Sequence, residues 1–349
     1  MKTVLKSITL AIAFLLTNAN ILAGETKDKH HAGEEKFDAV KVIMHHIADA
    51  HEFHILDYTD DQGVEHPVSL PLPVILYTNG HLDVFMSSEF DHGHADVTKG
   101  DHTYRLDHGH IVELSGLHPI DLSITKNVFS MFLSIIIILL IFTTVGRSYR
   151  KNNGAPKGVA SFMEPLILFV RDDIAVPNIG VKKADKFLPY LLTVFFFIWI
   201  NNILGLIPFF PGSANLTGNI SFTITLAFIT FLITNLSGNK DYWKHIFATP
   251  GVPVWLAPIM IPVELMGIFA KPVALLIRLF ANITAGHIII LSLISLIFIF
   301  KSIMIAPVSV GFVLFMNVLE LLVAALQAYI FTLLSALFIG MAVAEHEHH

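Results

Sequence analysis

Long apolar runs constrain this chain more than any other feature. They reach 17 to 29 residues with almost no charge, and about 20 consecutive apolar residues are what an α-helix needs to cross the hydrocarbon core of a bilayer. Residues 128–145, 187–210 and 220–236 each suffice, allowing for tilt. The chain is 54% hydrophobic and 14% charged, against roughly a quarter charged in soluble domains, which excludes an ordinary cytosolic enzyme. The expected fold class is an all-α polytopic membrane protein with a long oblique C-terminal helical hairpin, plus a small acidic, His-rich α+β N-terminal domain. With no cysteine anywhere, disulfides, thiolate metal sites and cysteine nucleophiles are excluded.

Three segments follow one another. Residues 1–23 read as a signal peptide: Lys2 and Lys6, a short apolar stretch from Ile8 to Leu16, and Ala23 before a cut at Gly24; an uncleaved anchor is the alternative. Residues 24–123 hold 19 Asp/Glu, 6 Lys/Arg and 14 of the 19 histidines. In this domain residues 37–49 have helical apolar spacing, and strands over 74–77 and 82–86 flank the hairpin signal Asn79-Gly80. Its His30-His31 and His45-His46 pairs and its His-rich stretch from His92 to His110 suit Zn²⁺ or Cu²⁺, but no ligand spacing recurs, so a solvated acidic surface is the favoured reading and no metal site is expected. Residues 124–349 form the transmembrane domain.

Loop charges orient it. Arg147, Arg150, Lys151, Lys157, Lys182, Lys183 and Lys186 lie between the first two spans, and Lys240 and Lys244 follow the third, whereas 211–219 is uncharged. By the positive-inside rule the basic connections are cytoplasmic, which places the acidic domain outside, as an export signal also requires. The expected location is the cell inner (plasma) membrane, with the N-terminal domain periplasmic and the C-terminus cytoplasmic. The half-apolar stretch 162–172 is expected along the inner surface. Residues 252–270, broken by Pro253, Pro258 and Pro262 and carrying Glu264, are expected as an interrupted or re-entrant helix. Residues 272–300 and 302–344 then give two helices longer than a bilayer is thick, hence the oblique hairpin.

Charges inside that hairpin are costly, by about 3 kcal/mol on insertion scales, so they read as a pathway or a pair. In an antiparallel hairpin residues at one depth share an index sum, which is 605 for Arg278 with Gln327 and 607 for His287 with Glu320. Two polar levels are therefore expected, about 13.5 Å apart. His287 falls on nearly the opposite face from Arg278, and Asn282 on the arginine's face. A guanidinium does not release its proton, so Arg278 can be a fixed charge but not a relay; His287 and Glu320 can relay. The alternatives are that Arg278 snorkels or pairs with Glu264 or Glu320, and that His287 and Glu320 are a mutually satisfied structural pair. Asn201, Asn202 and Gln327 serve equally as interhelical hydrogen-bond donors and acceptors.

The stretch KPVALLIRLFANITAGH from Lys271 to His287 resembles the signature of subunit a of F-type ATP synthases. Asn202 to Pro208 (NILGLIP), Pro262 to Leu265 (PVEL) and Leu326 to Phe331 (LQAYIF) are similar as well. The likeness covers roughly residues 120–344 and not the acidic domain. It implies a proton-conducting stator subunit that is not an enzyme by itself. Arg278 would face the carboxylate of a c-subunit ring, and His287, Glu320, Gln327, Asn282 and Glu264 would line a half-channel, supported by Asn201 and Asn202. In one branch of the family the acid and the imidazole stand exchanged, and Ala281 occupies a position where glycine is frequent. The implied partners are the c-ring, peripheral-stalk b subunits, the rest of the complex and the lipid bilayer, with no nucleic acid. No cofactor is implied, and no GxxxxGK[ST] phosphate loop occurs. The residues alone leave two other classes open, a secondary transporter or metal exporter and a plain membrane anchor, and they do not separate H⁺ from Na⁺.

Overall fold

The computed structural model describes residues 43, 47–59, 65–107, 109–151, 157–207, 210–212, 214–247, 256–300, 302 and 304–344. The signal segment, the two His pairs and most of the 37–49 helix lie outside them. Contacts divide the chain into one unit of residues 1–38 and 54–70 and another of 39–53 and 71–349. Strands β1 (Glu52–Thr59) and β2 (Glu65–Pro71), which form a two-stranded sheet, fall mainly in the first.

In the second unit, β3 (Pro73–Thr78) and β4 (His81–Met86) pair with Val74 opposite Phe85 and Thr78 opposite His81. Their turn is Asn79-Gly80, at φ of 47° and 90°. Positive φ at both positions gives the turn whose twist matches the strands, and Asn and Gly tolerate that conformation. A short 3₁₀ segment, Ser87–Gly93, leads to β5 (Val97–Lys99), β6 (His102–Asp107) and β7 (His110–Glu113), which form a second sheet, while β8 (Ile120–Asp121) joins the other edge of β3. The strands share a core of Val74, Leu76, Phe85, Phe90, Val97, Tyr104 and Ile111. There the Tyr104 hydroxyl donates to Asp83 Oδ2 at 2.6 Å.

The helical part of the chain begins with α1 (Lys126–Lys151). Its start is held by residues far back in sequence. Asp49 Oδ1 accepts from the Asn127 backbone N–H (3.2 Å) and Asp49 Oδ2 from the Thr125 hydroxyl (2.8 Å), while the Lys126 N–H donates to the Ala50 carbonyl (2.9 Å). Asp49 thus acts as a helix cap supplied from another segment, occupying donors the helix cannot satisfy itself. The rings of Phe53, Phe129 and Phe210 pack together with centroids 5.4 to 5.7 Å apart. His51 Nε2 lies 2.9 Å from Asp121 Oδ2.

Next come α2 (Val159–Leu168), a π-helical segment Phe169–Ala175, α3 (Val176–Ile179) and α4 (Val181–Leu206). Of the 162–172 stretch, expected along the inner surface, Phe162 and Leu168 are exposed, while Val170 and the following Ile174 are fully buried in the core that includes Leu191, Phe196, Phe331 and Ile339. α4 stops at Leu206 because Ile207 precedes Pro208, whose ring clashes with a helical predecessor; Ile207 is extended, at φ −80° and ψ 115°. α5 (Ile220–Leu236) is capped by the Asn219 side chain, which accepts from Ser221 N–H at 3.0 Å. After a bend of 101°, α6 (Lys240–Phe247) follows.

The last two helices are α7 (Ala257–Ile299, 43 residues) and α8 (Ala306–Val343, 38 residues). Among the described residues of the 252–270 stretch the expected interruption is absent, since α7 runs unbroken through Pro262 and on through Pro272. Each proline removes one N–H from the ladder, a loss that neighbouring helices and local adjustment accommodate in apolar surroundings. Pro307 sits in the first turn of α8, where its missing N–H has no intrahelical partner to lose. At its far end, α8 is held by Lys183 Nζ and Asn239 Nδ2, which donate to the Val343 carbonyl at 2.8 and 2.7 Å. Gly340 allows α8 to meet the backbone of Asn178 directly, with no space for a β-carbon. Among the described residues four helices, α1, α4, α7 and α8, are long and apolar enough to cross a membrane, with a fifth if the bent α5–α6 pair is one span.

Candidate functional site

The site lies where α4, α7 and α8 converge. Leu275, Leu279 and Ile283, one turn apart, are buried on one side of α7, and this seats His287, one turn further, against both neighbouring helices. His287 Nδ1 lies 2.9 Å from Glu320 Oε1 on α8 and 3.0 Å from the Ile283 carbonyl, and Nε2 lies 3.3 Å from the Gly205 carbonyl on α4. Glu320 is only 5% exposed. Neither of its oxygens receives an aligned hydrogen bond among the described residues, and His287 is the ion-pair partner it has there. A carboxyl and an imidazole in such contact, with the carboxylate lone pairs otherwise unused, can exchange a proton.

One to two turns along, Asn282 Nδ2 donates to Gln327 Oε1 at 3.1 Å. The expected partner of Gln327 at that level was Arg278. The index sum fixes depth to within about a turn, and the crossing of two tilted helices moves the pairing from Arg278 to Asn282. Gln327 is buried and its Nε2 has no partner among the described residues. Asn202 adjoins this level from α4, donating to the Ala324 carbonyl (3.2 Å) and accepting from the Thr217 hydroxyl (2.6 Å). Asn201 joins α4 to α1 through Ser134 Oγ at 3.0 Å. Both asparagines thus bridge helices.

Arg278 is set apart from the pair. It is exposed on α7 together with Asn282, and it has no ion pair or hydrogen bond among the described residues. The alternative salt bridges are not formed. Glu264 lies 14 residues back on the same helix, about 21 Å away along the axis, and Glu320 faces inward to His287. Glu264 is half-buried near the start of α7, remote from both polar levels. The arrangement therefore consists of a buried acid–imidazole pair, an amide pair below it, and a permanent cation presented outward.

Two glycines that motif reading passed over shape the site. A β-carbon at Gly286 would lie 2.8 Å from Glu320 Oε1, and one at Gly205 would lie 3.3 Å from the Ala214 carbonyl and 3.9 Å from His287 Nε2. Glycine inside an apolar helical pattern is itself the signal of such close approach. Among the described residues no group of three or more His, Asp or Glu side chains could hold a metal ion.

The helices and this intramembrane polar arrangement define a polytopic membrane protein. A family model described as ATP synthase A chain matches residues 128–340, and a domain of unknown function (DUF8433) matches residues 42–127. The chain belongs to the ATP synthase A chain family. It is similar to ATP synthase subunit a of Chloroherpeton thalassium (52% identical over 244 residues, 68% of this chain and 71% of that one). It is also similar to ATP synthase subunit a of Chlorobium phaeobacteroides strain BS1 (53% over 237 residues, 66% and 68%) and ATP synthase subunit a 2 of Chlorobium luteolum (48% over 275 residues, 73% and 79%).

Proposed function

We propose that this chain is the proton-translocating stator subunit of an F-type ATP synthase. The observation that carries the reading is the buried His287–Glu320 contact at 2.9 Å on a hairpin that also presents an unpaired Arg278 outward. Protons enter from the outer side past Glu320 and His287, pass the Asn282–Gln327 level, and neutralise a carboxylate on a ring of c subunits lying against the exposed side of the hairpin. The neutral acid then rotates through lipid. On its return the field of Arg278 favours the ionised carboxylate, and the proton leaves to the inner side. A fixed cation between the two half-channels also repels a hopping proton and blocks a direct leak. The membrane potential supplies about 2.3 kcal/mol per charge per 100 mV.

Charge distribution supports the orientation. Lys183 and Asn239 meet Val343 at one end of the helices, and Arg147, Arg150, Lys151, Lys182, Lys186, Lys240 and Lys244 lie in the segments that reach that end. By the positive-inside rule this end and the C-terminus are cytoplasmic. The other end, where Phe53, Phe129 and Phe210 pack, carries the acidic domain outside the inner membrane. Residues 1–23 act as its export signal, residues 24–123 form the domain and 124–349 the channel-forming part. Nucleotide chemistry belongs to partner subunits, and peripheral-stalk b subunits hold the chain against the ring.

Affinity purification from membranes tests the reading. The expected result is recovery with a ring of small carboxylate-bearing hairpins and an ATPase head, whose ATP hydrolysis acidifies inverted vesicles. Recovery of the chain alone, with cation exchange and no ATP-driven acidification, would return it to the exporter class.

A further inference from the structure

The sheet β4-β3-β8 is apolar on both sides. Val74, Leu76, Thr78 and Phe85 point into the core. On the other side Tyr77, Leu82, Val84, Met86, Ile120 and Leu122 are each 40 to 60% exposed, and the register sets Tyr77 opposite both Leu82 and Ile120, so they form one surface. A sheet face turned to water is ordinarily polar, and an apolar patch of this kind marks an interaction site. No charge lies on it although the domain is strongly acidic. Asp83 and Asp121 alternate to the opposite side, where Tyr104 and His51 bind them.

We infer that this face rests on the outer leaflet of the bilayer that α1 crosses. Three observations select lipid as the occupant. Only four residues separate β8 from α1, a reach of about 14 Å at most, so Leu122 is confined close to the membrane boundary. The Asp49 cap and the Phe53–Phe129–Phe210 cluster fasten residues 49–53 to the same boundary, and His51 ties them to Asp121 of β8, which limits swinging of the strands away from it. Exposed apolar residues resume ten positions after Leu122, at Phe132, Ile135 and Ile136 on the outward side of α1, the surface that a spanning helix gives to lipid. The inference requires that α1 spans the membrane but not the proton path, so its failure would leave that path standing.

Because the chain has no cysteine, an engineered cysteine carries the only spin label on this chain, and the signal of the identically labelled complex without that cysteine is subtracted. Leu82→Cys and Val84→Cys, with Thr98→Cys on the exposed side of β5 as the aqueous reference, are labelled in the full complex in phosphatidylcholine vesicles. Collision rates are read for oxygen, which partitions into lipid, and for a water-soluble nickel chelate. The expected oxygen-to-nickel ratio at positions 82 and 84 exceeds that at 98 by about threefold or more, as for side chains held at the headgroup–acyl boundary. A ratio equal to that at 98 would place the face in water. Exclusion of both reagents would place another protein on it. Either result overturns the inference.

Discussion

Gly286 and Glu320 occupy complementary space: a β-carbon on the glycine would stand 2.8 Å from Oε1 and 3.0 Å from Cδ of the carboxyl group. The acid beside His287 is seated where α7 offers bare backbone. Gly286→Ala should therefore displace Glu320 from His287. Alanine is better than glycine in a helix by about 1 kcal/mol, so stability alone would rise. The expected outcome is normal assembly with ATP-driven proton pumping reduced roughly tenfold, the scale of about 1.4 kcal/mol on the barrier. Unchanged pumping would separate the glycine from the path.

Glu320→Gln keeps shape and burial but removes the titrating group. Proton pumping in inverted vesicles should fall and its pH profile should change, whereas an unaltered profile would leave Glu320 with a structural part only. The exchanged double variant, His287→Glu with Glu320→His, retains one acid and one imidazole at a single level and should pump more than either single replacement.

Arg278→Ala should abolish coupled proton transport while the complex still assembles, because no described residue depends on the guanidinium for a partner. Arg278→Lys tests the fork against the charge alone. Lysine offers a compact ammonium in place of a planar five-donor group and should recover a small fraction of the coupling. Near-normal pumping in the alanine variant would refute the stator role.

At Asp121, burial raises the carboxyl pKa, but hydrogen bonds from His51 and Ser123 outweigh it and hold it at about 2, below the usual 3.8. The folded-state value is depressed, so the stabilisation is complete above about pH 4 and is lost as pH falls toward 2. With the side chain about a third exposed, solvent screening reduces the effect to about 1 kcal/mol. Hydrogen-exchange protection factors at residues 49–53, which correct for the intrinsic pH dependence of amide exchange, should fall between pH 4 and 2 in the native chain, and in Asp121→Asn they should already be lower at pH 6 and change less with pH. Equal protection in both across this window would contradict the assignment.

The depth of the polar levels was legible because antiparallel helices conserve an index sum, and this is why His287 and Glu320 could be matched across 33 residues. Rotation and crossing angle were not legible, and they decide whether Gln327 meets Arg278 or Asn282. The prolines of α7 bear on a related point. Pro262, expected as a break, and Pro272 carry a breaking tendency measured in water, whereas a helix in apolar surroundings has no better place for its remaining backbone bonds. The turn at Asn79-Gly80 could be read because its two residue types answer a local dihedral demand. The Asp49 cap on α1 could not, since nothing local to residues 125–127 names a donor or acceptor 78 positions earlier.

The same prolines set the mechanical character of the hairpin. Pro272 leaves the Ile268 carbonyl without its rung of the ladder six residues before Arg278, a point at which a helix bends most readily. α8 is moored at its foot by Lys183 and Asn239. Of the two helices α7 is thus the compliant one, and lateral thrust on Arg278 from a passing neighbour can be absorbed as elastic flexure below the arginine while α8 keeps its alignment.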